Sequence, residues 1–144
     1  MILNTRHTGI VVRDLDRAIG FYEGLGLRLW RREMETGLFI EQVTGLPDVS
    51  LEWAKLKAPD DSLVELLQYH SHPVNVPHEM APAQAHGCSH VAFTVADVEA
   101  ACARVKELGG TVTNPPALSP DKRARVAYGH DVDGIIIELV EEKK

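Results

Sequence analysis

An internal repeat restricts the possible fold of this chain more than any other sequence feature. When residues 7–27 are aligned with residues 90–110, an offset of 83 positions, identical residues coincide along both segments. The identities are His7 with His90, Val12 with Val95, Asp14 with Asp97, Ala18 with Ala101, Leu25 with Leu108 and Gly26 with Gly109. Two unrelated amphipathic helices can share an apolar spacing by chance. Chance does not account for a shared histidine, a shared helix cap and the same order of strands, so the match indicates a duplicated structural unit.

Each copy predicts a strand followed by a helix of about three turns. Apolar residues recur with i, i+3, i+4, i+7 spacing at Leu15, Ala18, Ile19 and Tyr22, and again at Val98, Ala101, Cys102 and Val105. Asp14 and Asp97 precede these runs, where a carboxylate can cap the first backbone N–H groups. Glycines follow both runs and are typical of helix ends. The preceding strands are predicted over residues 6–12 and 89–95.

Three further strands follow each helix, and turn-forming residues separate them. They are predicted at 27–34, 49–57 and 62–69 in the first half and at 111–113, 122–130 and 135–140 in the second. The stretch 35–48 fits either a loop or a short helix. We therefore predict an α+β fold: one domain, 1–144, with βαβββ modules at 1–70 and 88–144. A proline-containing linker, 71–87, joins them.

Composition excludes several classes of protein. The formal net charge is −6 and no basic block is present, which counts against nucleic acid and anionic membranes as partners. No apolar run approaches the roughly 20 residues of a membrane helix, and the N-terminus lacks the layout of a signal peptide. Cys88 and Cys102 have no CxxC spacing and predict reduced core residues. We therefore expect a soluble cytoplasmic protein.

Four polar residues interrupt the apolar strands at matching places. His7 and His90 occupy the same repeat position, and Glu65 and Glu138 stand within the last strand of each half. Strand alternation places each histidine on the face opposite the helix. A carboxylate in an apolar strand is costly to desolvate unless a cation compensates it. Two imidazoles and two carboxylates in matched positions therefore predict one divalent metal site.

Each of these residues has a simpler explanation when it is taken alone. His7 fits a surface histidine at a strand end, Glu65 a solvated edge strand, and Glu138 a solvated chain end. Their equivalent positions in a repeat favour the metal site over these separate explanations. The histidines in the linker and directly before it are expected to lie in solvent and not to form a second metal site; they are His70, His72, His78 and His86.

Three stretches of sequence resemble the vicinal oxygen chelate superfamily over nearly the whole chain. They are HTGIVVRDLDRAIGFYEGLGL, HVAFTVADVEAACARVKELGG and YGHDVDGIIIELVE. The last resembles the family's turn before its Glu-Leu strand, with Val132 where proline is usual. The resemblance implies paired βαβββ modules that form a half-barrel around a metal-centred cavity. It also implies metal ligands at His7, Glu65, His90 and Glu138.

The resemblance implies a lyase or isomerase that abstracts a proton alpha to a carbonyl through a metal-bound enediolate. The His-Glu-His-Glu set resembles glyoxalase I, whereas LVELLQY is closer to the methylmalonyl-CoA epimerase branch, so the subfamily stays open. The alternatives are a sequestering protein of the same fold without turnover and a metal-dependent dioxygenase. Ni²⁺, Co²⁺, Mn²⁺ and Mg²⁺ suit four protein ligands, while Zn²⁺ prefers fewer.

The expected substrate is a small carbonyl compound or thioester, and the resemblance further implies a homodimer. Glu138 is our first candidate for the catalytic base because its strand is the more hydrophobic. Glu65 is the second, and Glu52 is a candidate that does not bind the metal. Further candidates for the cavity wall are Trp53, Tyr69, Arg125 and Tyr128.

Overall fold

The computed structural model describes residues 1–73 and 82–143 and divides into the compact units Met1–Val76 and Pro77–Lys144. The first unit contains β1 (Thr8–Val11), α1 (Leu15–Gly24), β2 (Arg28–Thr36), α2 (Leu38–Thr44), β3 (Ser50–Lys57) and β4 (Leu63–Tyr69). The second contains β5 (His90–Thr94), α3 (Val98–Glu107), β6 (Thr111–Val112), β7 (Ala117–Leu118), β8 (Ala124–His130) and β9 (Ile136–Glu142).

Each unit contains one sheet with the same topology. The strand order is β1-β4-β3-β2 in the first unit and β5-β9-β8-β6 in the second, where β7 also pairs with β8. In both sheets the strand before the helix runs parallel to the last strand, and the other pairs are antiparallel. The predicted βαβββ modules are confirmed. In the stretch 35–48, where the sequence fitted either a loop or a short helix, β2 continues to Thr36 and the helix α2 follows. The short strand β7 was not predicted.

Two side-chain acceptors anchor the start of each long helix. Asp14 accepts a hydrogen bond of 3.0 Å from the Arg17 N–H, and the equivalent Asp97 caps α3 in the same way. Gln68, at the end of β4, accepts a second bond of 2.7 Å from the Leu15 N–H. Because Glu141 of β9 does the same for α3, each helix start is tied to the C-terminal end of the last strand of its own sheet.

The main hydrophobic core of each unit lies between its long helix and one face of its sheet. In the first unit a smaller apolar cluster lies on the opposite face and consists of buried Ile40, Val49 and Leu51 with Leu46, Leu67 and Tyr69 packed against them. In β1 and just beyond it, Ile10 and Val12 are buried on the helix side, whereas Val11 between them is 61% exposed. In β9, Ile137 and Leu139 are likewise buried. Because side chains alternate along a strand, the residues between these buried positions point to the other face of the sheet.

The part of the linker that the structure describes, 71–73 and 82–87, contains neither helix nor strand. Residues 74–81, with His78, lie outside the described residues. None of the described helices has the length and apolar character needed to cross a membrane.

Candidate functional site

In the first unit, the pairing of β1 with β4 brings a histidine and a glutamate together. Gly9 is the register partner of Glu65, and His7 lies two residues before Gly9. In a parallel pair, this register puts the two side chains on the same face of the sheet, opposite α1. The His7 Nε2 atom lies 2.9 Å from Glu65 Oε2, with side-chain exposures of 28% and 13%.

The second unit repeats this arrangement. Ala92 of β5 pairs with Glu138 of β9, and His90 lies two residues before Ala92. His90 Nε2 lies 2.9 Å from Glu138 Oε2, and both side chains are mostly buried. The two halves therefore match in sequence and also in the contact between histidine Nε2 and glutamate Oε2.

The donor chemistry of both pairs fits a divalent metal ion. Imidazole nitrogen and carboxylate oxygen are ligands for Ni²⁺, Co²⁺, Mn²⁺ and Zn²⁺, and in each pair the two donor atoms face each other. Within each unit, as far as 1–73 and 82–143 are concerned, no group of three or more His, Cys, Asp or Glu side chains that could hold a metal is present. A four-ligand site needs both pairs at one ion, and that combination stays a prediction.

The second ring nitrogens of the two histidines have different surroundings. His90 Nδ1 lies 3.2 Å from the Ser89 hydroxyl and 3.3 Å from the Tyr128 hydroxyl. His7 Nδ1 is buried and has no hydrogen-bond partner among the described residues. The orientation of His90 is therefore supported by neighbouring hydroxyls, whereas that of His7 depends on its contact with Glu65.

A third residue in each unit faces the glutamate from the neighbouring antiparallel strand. Lys55 of β3 is paired with Glu65, and Tyr128 of β8 is paired with Glu138. The Lys55 Nζ atom lies 3.3 Å from Glu65 Oε1. Tyr128 was a candidate from the sequence, but Lys55 was missed. The sequence did predict a turn between β3 and β4. An antiparallel hairpin centred on Asp60 pairs position 55 with position 65, so that turn could have identified Lys55 as the neighbour of Glu65.

Glu52 does not lie at this site. It pairs across the sheet with Gln68, whose side chain contacts the start of α1, so Glu52 is on the helix side of the sheet. Arg32 Nε donates a 2.6 Å hydrogen bond to its Oε1, and His70 Nε2 lies 2.9 Å from its Oε2. The Arg32 bond, followed by the His70 contact, holds the pKa of Glu52 below its ordinary range. Because Arg32 also pairs with Asp16 of α1, Glu52 belongs to a charge network that connects the sheet to α1.

The other candidates for the cavity wall divide between the two faces. Arg125 pairs with Glu99 of α3 and so lies on the helix side of its sheet. Trp53 and Tyr69 share the face of Glu65, as their alternation along β3 and β4 requires. Trp53 lies beneath the Lys55 ammonium, 4.4 Å from the ring centroid.

A cavity of about 490 Å³ opens beside His7. Residues 4–7 line one side, Trp30 and Arg31 of β2 line another, and Lys55 and Leu63 complete the described wall. A small molecule in this cavity could contact the imidazole of the first pair and several cationic side chains. The arrangement is therefore suited to holding a small polar ligand against the His7–Glu65 pair.

Comparison with known proteins agrees with this geometry. Residues 5–139 match the model of the Glyoxalase/Bleomycin resistance protein/Dioxygenase superfamily. The lactoylglutathione lyase of Haemophilus influenzae is 32% identical over 139 residues, which cover 95% of this chain and 91% of the relative. A probable lactoylglutathione lyase of Vibrio cholerae is 28% identical over 139 residues, covering 96% and 90%. The crystal structure of a glyoxalase family protein from Bacillus cereus superposes with a TM-score of 0.92 at 33% identity, covering 100% of this chain and 97% of the other.

Proposed function

The chain belongs to the Glyoxalase/Bleomycin resistance protein/Dioxygenase superfamily, and from this premise we propose that it is a divalent-metal-dependent lyase or isomerase. The observation that carries the proposal is the His–Glu pair that recurs in the same strand register in both units. The reaction is the transfer of a proton between two adjacent carbons, one of which bears a carbonyl. Relatives that are lactoylglutathione lyases support the hemithioacetal of a 2-oxoaldehyde as the first substrate to test.

His7, Glu65, His90 and Glu138 are the proposed ligands of the metal ion. When bound, the ion supplies Lewis acidity that stabilises negative charge on a substrate oxygen. The imidazoles contribute neutral donors through Nε2, the atom of each ring that already faces a carboxylate. The carboxylates balance the charge of a divalent cation within strands that are otherwise apolar.

Glu138 is the proposed base that removes the proton from substrate carbon. The strand register gives the two candidate carboxylates different neighbours, because Lys55 lies opposite Glu65 and neutral Tyr128 lies opposite Glu138. A carboxylate that an ammonium holds from the side is less available to turn toward a substrate. Glu138 therefore moves the proton between the adjacent carbons, while Glu65 keeps its role as a ligand.

The test is proton exchange in deuterated solvent. The full chain is loaded in turn with Ni²⁺, Co²⁺, Mn²⁺, Mg²⁺ or Zn²⁺ and supplied with the hemithioacetal of methylglyoxal and glutathione. Product formation and deuterium incorporation are followed by NMR. We expect turnover with at least one metal, and a loss of about 10²–10⁴-fold in Glu138→Gln, the usual contribution of a positioned base. Metal analysis should show that the variant still binds metal, because an amide oxygen can replace one carboxylate oxygen.

The matched control is Glu142→Gln, an exposed glutamate at the end of the same strand, which should keep full activity. A 2-methylacyl thioester is tested in parallel, since exchange on that compound alone would identify an epimerase. Full metal occupancy without exchange on either compound would contradict the proposal and favour a sequestering protein. Undiminished exchange in Glu138→Gln would exclude this residue as the base.

A further inference from the structure

The cavity beside His7 concentrates positive charge in an acidic protein. Arg6, Arg31 and Lys55 are three cations among its lining residues, and none of the described lining residues is acidic. The chain as a whole carries a formal net charge of −6. Such a local reversal of sign attracts an anion and repels a cation, because a concave surface focuses the field of its charges.

The acids near this cavity offset only part of its charge. Arg31 pairs with Glu33, and Lys55 pairs with Glu65. Arg6 forms no ion pair with any residue that the structure describes. Arginine and lysine also carry more donors than one carboxylate can accept, so N–H groups remain for a ligand.

Two tryptophans hold cationic side chains in place around the cavity. The Lys55 ammonium lies 4.4 Å and the Arg31 guanidinium 5.7 Å from the ring of Trp53. Trp30 lines the cavity, and the Lys57 ammonium lies 4.8 Å from its ring. Cation–π contacts limit the freedom of long side chains, so less conformational entropy is lost when a ligand binds them.

We propose that this cavity binds an oxyanion, the carboxylate or phosphate group of the small-molecule substrate, through Arg6, Arg31 and Lys55. The identification of the ligand as a substrate rests on the proposed function; the anion site itself does not. Because His7 lines the same cavity, the anionic group is held within a short distance of the His7–Glu65 pair. The substrate class is therefore an anionic carbonyl compound or thioester.

Direct binding to the full chain tests the site without turnover. Inorganic phosphate, benzoate and neutral benzamide are titrated by calorimetry and by tryptophan fluorescence, with and without EDTA, so that binding to a metal ion is recognised. We expect phosphate and benzoate to bind in EDTA and benzamide not to bind. Arg6→Ala should weaken anion binding by about tenfold or more, the scale of one lost charge-assisted hydrogen bond. Lys55→Met should weaken it similarly.

Arg17→Ala is the matched control, because it removes the same charge from an exposed position of α1 and should leave anion affinity unchanged. Tighter binding of phosphate identifies a phosphorylated substrate, and tighter binding of benzoate a carboxylate. Anion affinity that is equal in Arg6→Ala, Lys55→Met and the unmodified chain would overturn the proposal, as would equal binding of benzamide. Exchange activity without anion binding would overturn only this inference, and anion binding without exchange would overturn only the proposed function.

Discussion

The substitution Glu52→Gln separates a structural carboxylate from a catalytic one. Glu52 lies on the helix side of its sheet, where it accepts from Arg32 and contacts His70. The amide keeps the shape of the side chain and one acceptor oxygen but removes the negative charge. We therefore expect a loss of stability with no loss of proton-exchange activity per folded molecule.

The size of the effect follows from the exposure of the three partners. The side chains of Arg32 and His70 are 35% and 38% exposed, and that of Glu52 is 17% exposed. Solvent screens both interactions, so each contributes roughly 0.5 kcal/mol, and the substitution should lower the free energy of unfolding by about 1 kcal/mol. For a chain of this length, that corresponds to a drop in Tm of roughly 2–4 °C.

The effect should depend on pH with a defined sign. Hydrogen bonds hold the pKa of Glu52 below its ordinary value of 4.5. A carboxylate with a lowered folded-state pKa stabilises the protein above its unfolded pKa, and this contribution is lost as the pH falls through the lowered value. The difference in stability between the unmodified chain and Glu52→Gln should therefore be constant near pH 7 and shrink in acid below 4.5.

Urea unfolding followed by circular dichroism at a series of pH values measures this difference, with Glu142→Gln as the exposed control. A stability difference that persists unchanged into acid would refute the charge-network interpretation. A loss of exchange as large as that of Glu138→Gln, without loss of stability, would identify Glu52 as the base.

Three further substitutions test the packing and the caps through denaturant midpoints. Gly129→Ala places a Cβ atom 2.5 Å from the backbone oxygen of Thr111, and such overpacking should cost about 1–3 kcal/mol; a neutral effect would show that β6 shifts freely. Gly20→Ala meets no atom within 4 Å in a helix and should stabilise the protein by about 0.5–1 kcal/mol; destabilisation would contradict this. Asp97→Ala removes the acceptor for the Ala100 N–H and should cost about 1 kcal/mol; Asn at position 97 should restore most of it.

The long helices were predictable because their signals are local. The apolar spacing of α1 and its cap at Asp14 lie within one short stretch of chain. The helix α2 gave no such signal, since Leu38, Phe39 and Val43 are 76%, 70% and 66% exposed and only Ile40 is buried. Because α2 packs into a core through Ile40 alone and has no side-chain cap at its start, its sequence did not distinguish a helix from a loop.

The placement of Glu52 and Lys55 was decided by strand pairing. Both lie on β3, three residues apart, and therefore on opposite faces of the sheet. The sequence suggested Glu52 as a candidate base because it is acidic, although its face belongs to α1. Lys55 was overlooked because its importance comes from Glu65, its register partner on the next strand.

The sequence by itself determined the duplicated β-α-β-β-β order and the equivalence of His7 with His90 and of Glu65 with Glu138. Helix caps, apolar periodicity and strand alternation act over a few neighbouring residues, so a repeat of residues is a repeat of local structure. Only the tertiary structure decided that each histidine nitrogen lies 2.9 Å from its glutamate. That distance depends on the parallel register of the first and last strand of each unit, which hydrogen bonds between segments far apart in the chain establish.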